Sequence, residues 1–222
     1  IACKVMPFHD ASFCIDDFRL RLIDCVRGLE AAVKHGWLDY AGFSTELYDW
    51  LDDPLVSDMN IVVPGKLLCF KGPASDAATR RATGARLPAE VMPRLLEQGV
   101  TDVVRLNDAN TYDPELFRSE GIAHHDIFFI DCTTPSLDLV ARFLDIVDAA
   151  RGVVAVHCLA GLGRTGTMIA LWMMRNRGMT ARESIGWLRL CRPGSVIGKQ
   201  QMYLEAIEQS CTWQGNEVVL PG

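Results

Sequence analysis

The chain has 222 residues, 49% of them hydrophobic and 23% charged. That balance excludes a disordered chain, and the length suits one domain, or one domain with a fragment of another. A net charge of −6 argues against nucleic acid as a partner and, where charge selects, favours a basic one.

Between Asp16 and His35 apolar residues recur at helical spacing (Leu20, Ile23, Val26, Leu29, Ala32, Val33), and Gly36 supplies a stop. A second, shorter helix is expected from Ser44 through Trp50, before Pro54. Residues 1–54 are too few to bury a core of their own, so they are expected to pack on the rest of the chain. The chain opens at Ile1 without a methionine or a signal-peptide pattern, which suggests a trimmed start.

From Met59 onward strands and helices alternate. Met59–Val63 and Lys66–Phe70 read as strands around the Pro64-Gly65 turn. A helix over Ala89–Glu97 leads to a strand at Asp102–Leu106. A short helix, Pro114–Phe117, then precedes a strand at His125–Ile130. Ser136 opens a helix through Val147, and Gly152–His157 suits a strand buried on both faces. Three helices close the pattern: Thr165–Arg175, Ala181–Leu190 behind the capping box of Thr180 and Glu183, and Gln200–Glu208. The fold class is therefore α/β, a mostly parallel sheet flanked by helices. The apolar run Met168–Met174 falls far short of the ~20 residues a membrane span requires, so no membrane partner is expected.

The eight cysteines show neither paired C-x-x-C spacing nor a histidine pattern suited to zinc. Most sit in apolar stretches, where a thiol packs as a small hydrophobe, and a reducing intracellular compartment is expected. Cys158 is different. The buried strand ending at His157 runs directly into Cys158-Leu159-Ala160-Gly161-Leu162-Gly163-Arg164-Thr165-Gly166, ahead of a helix. Ligands in such sheets bind beyond the carboxyl ends of the strands. Two glycines let the turn curl with its N–H groups inward, and the helix N-terminus adds positive potential. Such potential favours the ionised, nucleophilic form of a thiol. Arg164 can fork two hydrogen bonds onto a phosphate. The alternatives are a packed thiol and a surface arginine, but the full string in this context points to a phosphate cradle.

His157-Cys158-x5-Arg164-Thr165-Gly166 resembles the signature loop of the protein tyrosine and dual-specificity phosphatases. Phe128-Phe-Ile-Asp131-Cys-Thr-Thr-Pro-Ser136, Arg192-Pro-Gly-Ser-Val-Ile-Gly198 and Val104-Arg-Leu-Asn107 narrow the resemblance to the cell-division-cycle fourteen phosphatases, the mitotic-exit enzymes. Pro7-Phe-His-Asp-Ala-Ser-Phe13 and Leu22-Ile-Asp-Cys-Val-Arg-Gly28 are similar to the end of that family's noncatalytic first domain. The resemblance thus implies residues 1–54 as the back of that domain with a linker helix, residues 55–212 as the catalytic domain, and 213–222 as a tail. It also implies nuclear, cytoplasmic or spindle association.

The implied chemistry needs no metal or cofactor. Cys158 attacks phosphorus to form a phosphocysteine, while Arg164 and the amides of Leu159 to Gly163 hold the phosphate oxygens. A neutral carboxylic acid protonates the leaving oxygen and then activates water. Asp126, Asp131 and Asp138 compete for that role. Asp126 begins a strand and Asp138 lies within a helix, whereas Asp131 is in a loop past a strand end and matches the family acid. A solvated loop aspartate is the plainer alternative. Thr165 would donate to the Cys158 sulfur, or serve as a helix cap. Gln200 and Gln201 match the family's glutamine pair, one of which would orient water; a plain surface helix is an equal alternative. His157 is expected to order the loop, and Arg192 to be structural, pairing with a loop carbonyl or carboxylate.

The implied substrates are phosphorylated proteins, at phosphoserine followed by proline with a basic residue downstream. The matching acidic stretch carries Glu46, Asp49 and Asp52, with Asp53 beside them, either as a groove or as a solvated helix end. Leu159, Lys199 and Cys132 depart from the family's lysine, proline and glycine. Without loop lysines an inositol-lipid substrate loses support. A general tyrosine phosphatase and a silent phosphopeptide-binding module remain as alternatives. Cys132 reads as an unreactive loop thiol, with a disulfide trap for Cys158 as the lesser alternative.

Overall fold

The computed structural model describes residues 7–12, 18–215 and 217–219. The helical start expected near Asp16, together with Cys3 and Cys14, lies outside them. Helix α1 spans Leu22–Lys34 and begins where Asp24 accepts the Arg21 N–H at 2.9 Å. Helix α2, Thr45–Asp52, opens on Ser44, whose hydroxyl accepts the Leu47 N–H.

Strands β1 (Met59–Val63) and β2 (Leu67–Phe70) pair antiparallel across the Pro64-Gly65 turn. Helix α3 (Ala77–Thr83) has no counterpart among the elements expected from the sequence. It buries none of its residues and so shows no apolar stripe. Its ends carry it: Asp76 accepts the Thr79 N–H at 2.8 Å, and Gly84 closes it at φ 68°. Then come α4 (Pro88–Glu97), β3 (Val100–Arg105), the short α5 (Glu115–Arg118), β4 (Ala123–Asp126) and α6 (Leu137–Ala149). They are followed by β5 (Val153–His157), α7 (Gly163–Arg177), α8 (Ala181–Cys191) and α9 (Lys199–Ser210). A small hairpin, β6 (Thr212–Gln214) and β7 (Glu217–Val219), also lacks a sequence signal because its strands are only three residues each.

Two expected boundaries are corrected. The strand expected through Ile130 stops at Asp126, because its partner β3 ends at Arg105. Beyond that point the chain leaves the sheet, and Phe128 and Ile130 are exposed. Helix α7 begins at Gly163, two residues before Thr165, so Thr165 sits inside the first turn and does not cap it.

The sheet order is β1-β2-β5-β3-β4, parallel from β2 onward. β5 is central and its side chains alternate between two cores. Val154 and Val156 join the helical face built with α1 and α6 to α9, while Val153 and Ala155 join the face with Val91, Leu95 and Phe117. Helix α7 is buried from Gly163 through Met174, which is why its sequence is apolar without a stripe.

Helix α1 lies directly on α8. A Cβ on Gly28 would come within 2.7 Å of the Trp187 nitrogen, and one on Gly186 within 2.7 Å of the Asp24 carbonyl oxygen. Two facing glycines bring the backbones into contact, and Trp187 Nε1 anchors α8 to the sheet by donating to the Val62 carbonyl at 2.9 Å. Gly186→Val is therefore expected to destabilise the protein by about 3 kcal/mol, the upper range for overpacking, because backbone must move. Thermal unfolding of the variant against the parent checks this.

Candidate active site

Five consecutive carbonyls shape the loop after β5. The Cys158 carbonyl is paired with His157 Nδ1 at 3.0 Å, and the Leu159 carbonyl accepts the Gly72 N–H at 3.0 Å. Arg192 takes the next two, Nη2 donating to Ala160 at 2.9 Å and Nε to Gly161 at 3.0 Å. The Leu162 carbonyl accepts from Gly166 at 2.9 Å and Val196 at 3.3 Å. In a planar trans peptide the N–H points opposite the preceding C=O. Holding these carbonyls outward therefore turns the N–H groups of residues 159–163 inward, toward one locus. Gly161 adopts φ 71°, and a side chain there would collide with the Phe70 carbonyl; one at Gly72 would collide with that of Cys158.

Cys158, the first residue of this loop, is 3% exposed. Arg164 is buried, its Nη1 donating to the carbonyls of Phe129 at 3.0 Å and Leu106 at 3.3 Å. Its Nε stands 3.0 Å from Asp131 Oδ1 as an ion pair, without the alignment of a hydrogen bond. Asp131 is otherwise exposed. Asp126, one of the three competing acids, is held by Arg105 at 2.6 Å on the sheet. Burial pushes its carboxyl up, but the Arg105 hydrogen bonds and charge outweigh that and hold it below the usual range. Asp138 is exposed in the first turn of α6. Of the three, Asp131 alone is in contact with Arg164 in this structure.

Thr165 Oγ1 is buried without a hydrogen-bond partner, so the expected bond to the Cys158 sulfur is not formed here. The glutamines diverge. Gln200 lies beside the loop, where a Cβ on Gly163 would come 2.9 Å from its Oε1, and its Nε2 donates to the Thr133 carbonyl at 3.0 Å. Gln201 instead bonds Asp10, Arg189 and the Gly198 carbonyl. Glu46 and Asp49 are exposed on α2, whereas Asp52 accepts from Asn60 Nδ2 at 2.8 Å. Asn60 Oδ1 in turn accepts from Arg192, which also pairs with Asp58 at 2.6 Å. Leu159 is exposed on the loop, and Cys132 is exposed with φ 57°. The six cysteines among the described residues are free thiols. No group of metal-binding side chains occurs among the described residues, and none of their helices is long and apolar enough to cross a membrane.

Sequence reading misses Asn60, Asp58, Gly72 and Tyr112. Tyr112 Oη sits 2.6 Å from His157 Nε2 and 2.9 Å from His124 Nε2. Donor counting assigns the protons: His157 gives Nδ1–H to the Cys158 carbonyl, Tyr112 gives O–H to His157, and His124 gives Nε2–H to Tyr112. Both rings are thus neutral. Burial pushes His157 down to about 3 and His124 down to about 4. Both values lie below the ordinary 6.5, so the unfolded chain takes up the protons first as pH falls. Their contribution to stability is full above 6.5 and is lost below it, down to about 4 for His124 and about 3 for His157. Each ring is expected to cost about 2 kcal/mol of stability between pH 7 and pH 5. Urea unfolding at the two pH values checks this, with His124→Gln removing about half the difference.

A family model described as "Polymorphic toxin system, DSP-PTPase phosphatase" matches residues 80–178. The chain is 45% identical over 208 residues to the tyrosine-protein phosphatase cdc-14 of Caenorhabditis elegans, covering 94% of this chain and 29% of that protein. It is 41% identical to the human dual specificity protein phosphatase CDC14A over 95% of this chain and 35% of that one. With the Schizosaccharomyces pombe tyrosine-protein phosphatase CDC14 homolog it shares 34% identity, over 90% and 38%. The chain therefore spans about a third of the length of these relatives. Among solved structures, Tk-PTP in its active form superposes with a TM-score of 0.55 at 24% identity, over 66% of this chain and 92% of that one. Kinase-associated phosphatase, with serine replacing its catalytic cysteine, gives 0.56 at 18%, over 64% and 85%. These two likenesses establish the fold.

Proposed function

We propose that the chain, which is 34–45% identical to Cdc14 phosphatases over about a third of their length, belongs to that family of dual-specificity phosphatases, and that it removes phosphate from proteins through a phosphocysteine at Cys158. The observation that carries this reading is the ring of inward amides, set by five outward carbonyls, around a buried thiol beside Arg164. Such donors are complementary to the equatorial oxygens of a phosphoryl group in transit. The Cys158 thiolate attacks phosphorus, and the bond to the substrate oxygen breaks as protonated Asp131 donates its proton to that oxygen. In the second step the Asp131 carboxylate takes a proton from water, the water oxygen bonds phosphorus, and Cys158 leaves as the thiolate. Gln200, between the phosphate loop and the acid loop, orients that water. Thr165, with a buried and unused hydroxyl, donates to the departing sulfur.

The substrate preference we assign is phosphoserine-proline with a basic residue downstream, read by Asp49 and Glu46 on the exposed face of α2. Asp52 is engaged by Asn60 and acts instead as a support of the loop. Residues 1–54 correspond in this reading to the end of a specificity domain, residues 55–212 to the catalytic domain and 213–222 to a tail. The loop Leu159, exposed where a lysine is usual, leaves room for phosphotyrosine as a second substrate.

Two measurements test these assignments. With phosphopeptides, Cys158→Ser is expected to abolish turnover. Asp131→Asn is expected to lower it by about 10²–10⁴, with the deficit shrinking for a good leaving group such as p-nitrophenolate. Hydrolysis surviving in Cys158→Ser overturns the mechanism. In a panel pairing phosphoserine-proline peptides with and without a downstream lysine, Glu46→Gln with Asp49→Asn is expected to cost the basic peptide about 2–5-fold in kcat/KM and leave the neutral one unchanged. Equal values for both peptides overturn the acidic-surface assignment.

A further inference from the structure

Residues 7–12 form a strap across the outer side of the segment between α8 and α9. The Phe8 N–H donates to the Leu20 carbonyl at 2.9 Å, and the Ala11 N–H to the Gly194 carbonyl at 3.3 Å. The fit is close, since a Cβ on Gly194 would come 2.8 Å from that of Ala11. Arg189, fully buried, donates to the Phe8 carbonyl on the strap, to the Ser195 and Val196 carbonyls at 3.0 and 3.1 Å, and to Gln201 Oε1.

The centre of the strap is Asp10. Its Oδ2 accepts the Gly198 N–H at 2.6 Å and Gln201 Nε2–H at 3.2 Å, and its Oδ1 accepts the Ser12 N–H at 2.8 Å. Burial pushes the Asp10 carboxyl up, but hydrogen bonds from Ser12 and Gly198 and the Arg189 charge outweigh it and hold the group below the ordinary range. Gly198 immediately precedes α9, at φ 54° and ψ −123°, and offers no side chain to cap the helix. Asp10 supplies that cap from 188 residues away, as a carboxylate where the helix dipole favours one. The same turn sets Gln200, whose Oε1 accepts the Ile197 N–H at 3.1 Å and whose Nε2 holds Thr133 of the acid loop.

We propose that Asp10 is a positioning residue which, by fixing the start of α9, holds Gln200 for hydrolysis of the phosphocysteine and so controls the second half-reaction. The inference rests on the mechanism proposed above. In that half-reaction the S–P bond breaks as water bonds phosphorus; Asp10 neither gives nor takes a proton and acts only through backbone and Gln201.

The test compares the parent, Asp10→Ala, Gln200→Ala and the double variant, using a ³²P-labelled phosphopeptide quenched in acid. Asp10→Ala is expected to lower steady-state turnover about tenfold, equal to one lost hydrogen bond at the transition state. Its covalent label should rise and its first-turnover rate of leaving-group release should stay unchanged. The double variant should be no slower than Gln200→Ala alone. Where Asp10→Ala lowers Tm enough to obscure kinetics, Asp10→Asn, which keeps the shape and one acceptor oxygen, is measured in the same way. Unchanged label, a parallel loss in both half-reactions, or multiplying effects in the double variant overturn the proposal. Absence of acid-stable label in every variant, parent included, overturns the phosphocysteine mechanism instead.

Discussion

The outward anchoring of five successive carbonyls is the constraint on which the site depends. The carbonyls of Cys158 to Gly161 are all held from outside the loop, and free amides crowded together repel one another. The anchors come from four directions: His157 within the strand, Gly72 after β2, Arg192 after α8, and the segment that continues to Val196. Arg192 holds two carbonyls with one planar fork, and Asn60 and Asp58 orient the fork. The rest of the fold is arranged to bring these anchors to the end of β5.

Behind the loop, the His124–Tyr112–His157 chain continues the same logic into the core. One hydroxyl satisfies two ring nitrogens, and Arg105 fixes the tyrosine by donating to its carbonyl at 2.7 Å while lying over its ring. Uncharged donors and acceptors in a closed series suit a buried location better than an ion pair would, because no charge is desolvated. The remaining orphan, His124 Nδ1, faces Asp126 at 3.9 Å.

Much of the architecture is legible from local pattern. The double-sided burial of β5 shows in its unbroken apolar run, and Ser44 and Thr180 announce their helices by capping chemistry. The cysteine–arginine loop is legible for the same reason, since its spacing is contiguous. What stays hidden acts across sequence distance. Asp10, Asn60 and Tyr112 carry no neighbouring pattern, and each meets its partner only after the chain has folded. Helix α3 is hidden because caps, and no buried face, define it. Gln200 and Gln201 are adjacent and chemically identical, so only helix geometry distinguishes the one beside the loop from the one behind it.

The facing pair Gly28 and Gly186 bears on cooperativity. Helix α1 is seated on α8 with backbone against backbone at the two glycines, and Cys25, Ala32 and Trp187 are buried around that contact. α8 in turn is pinned to β1 and leads into Arg192. Separating the two helices would expose Cys25, Ala32 and Trp187 together, which makes a partly open state costly. The opening helix and the layers it covers are accordingly expected to melt in a single transition.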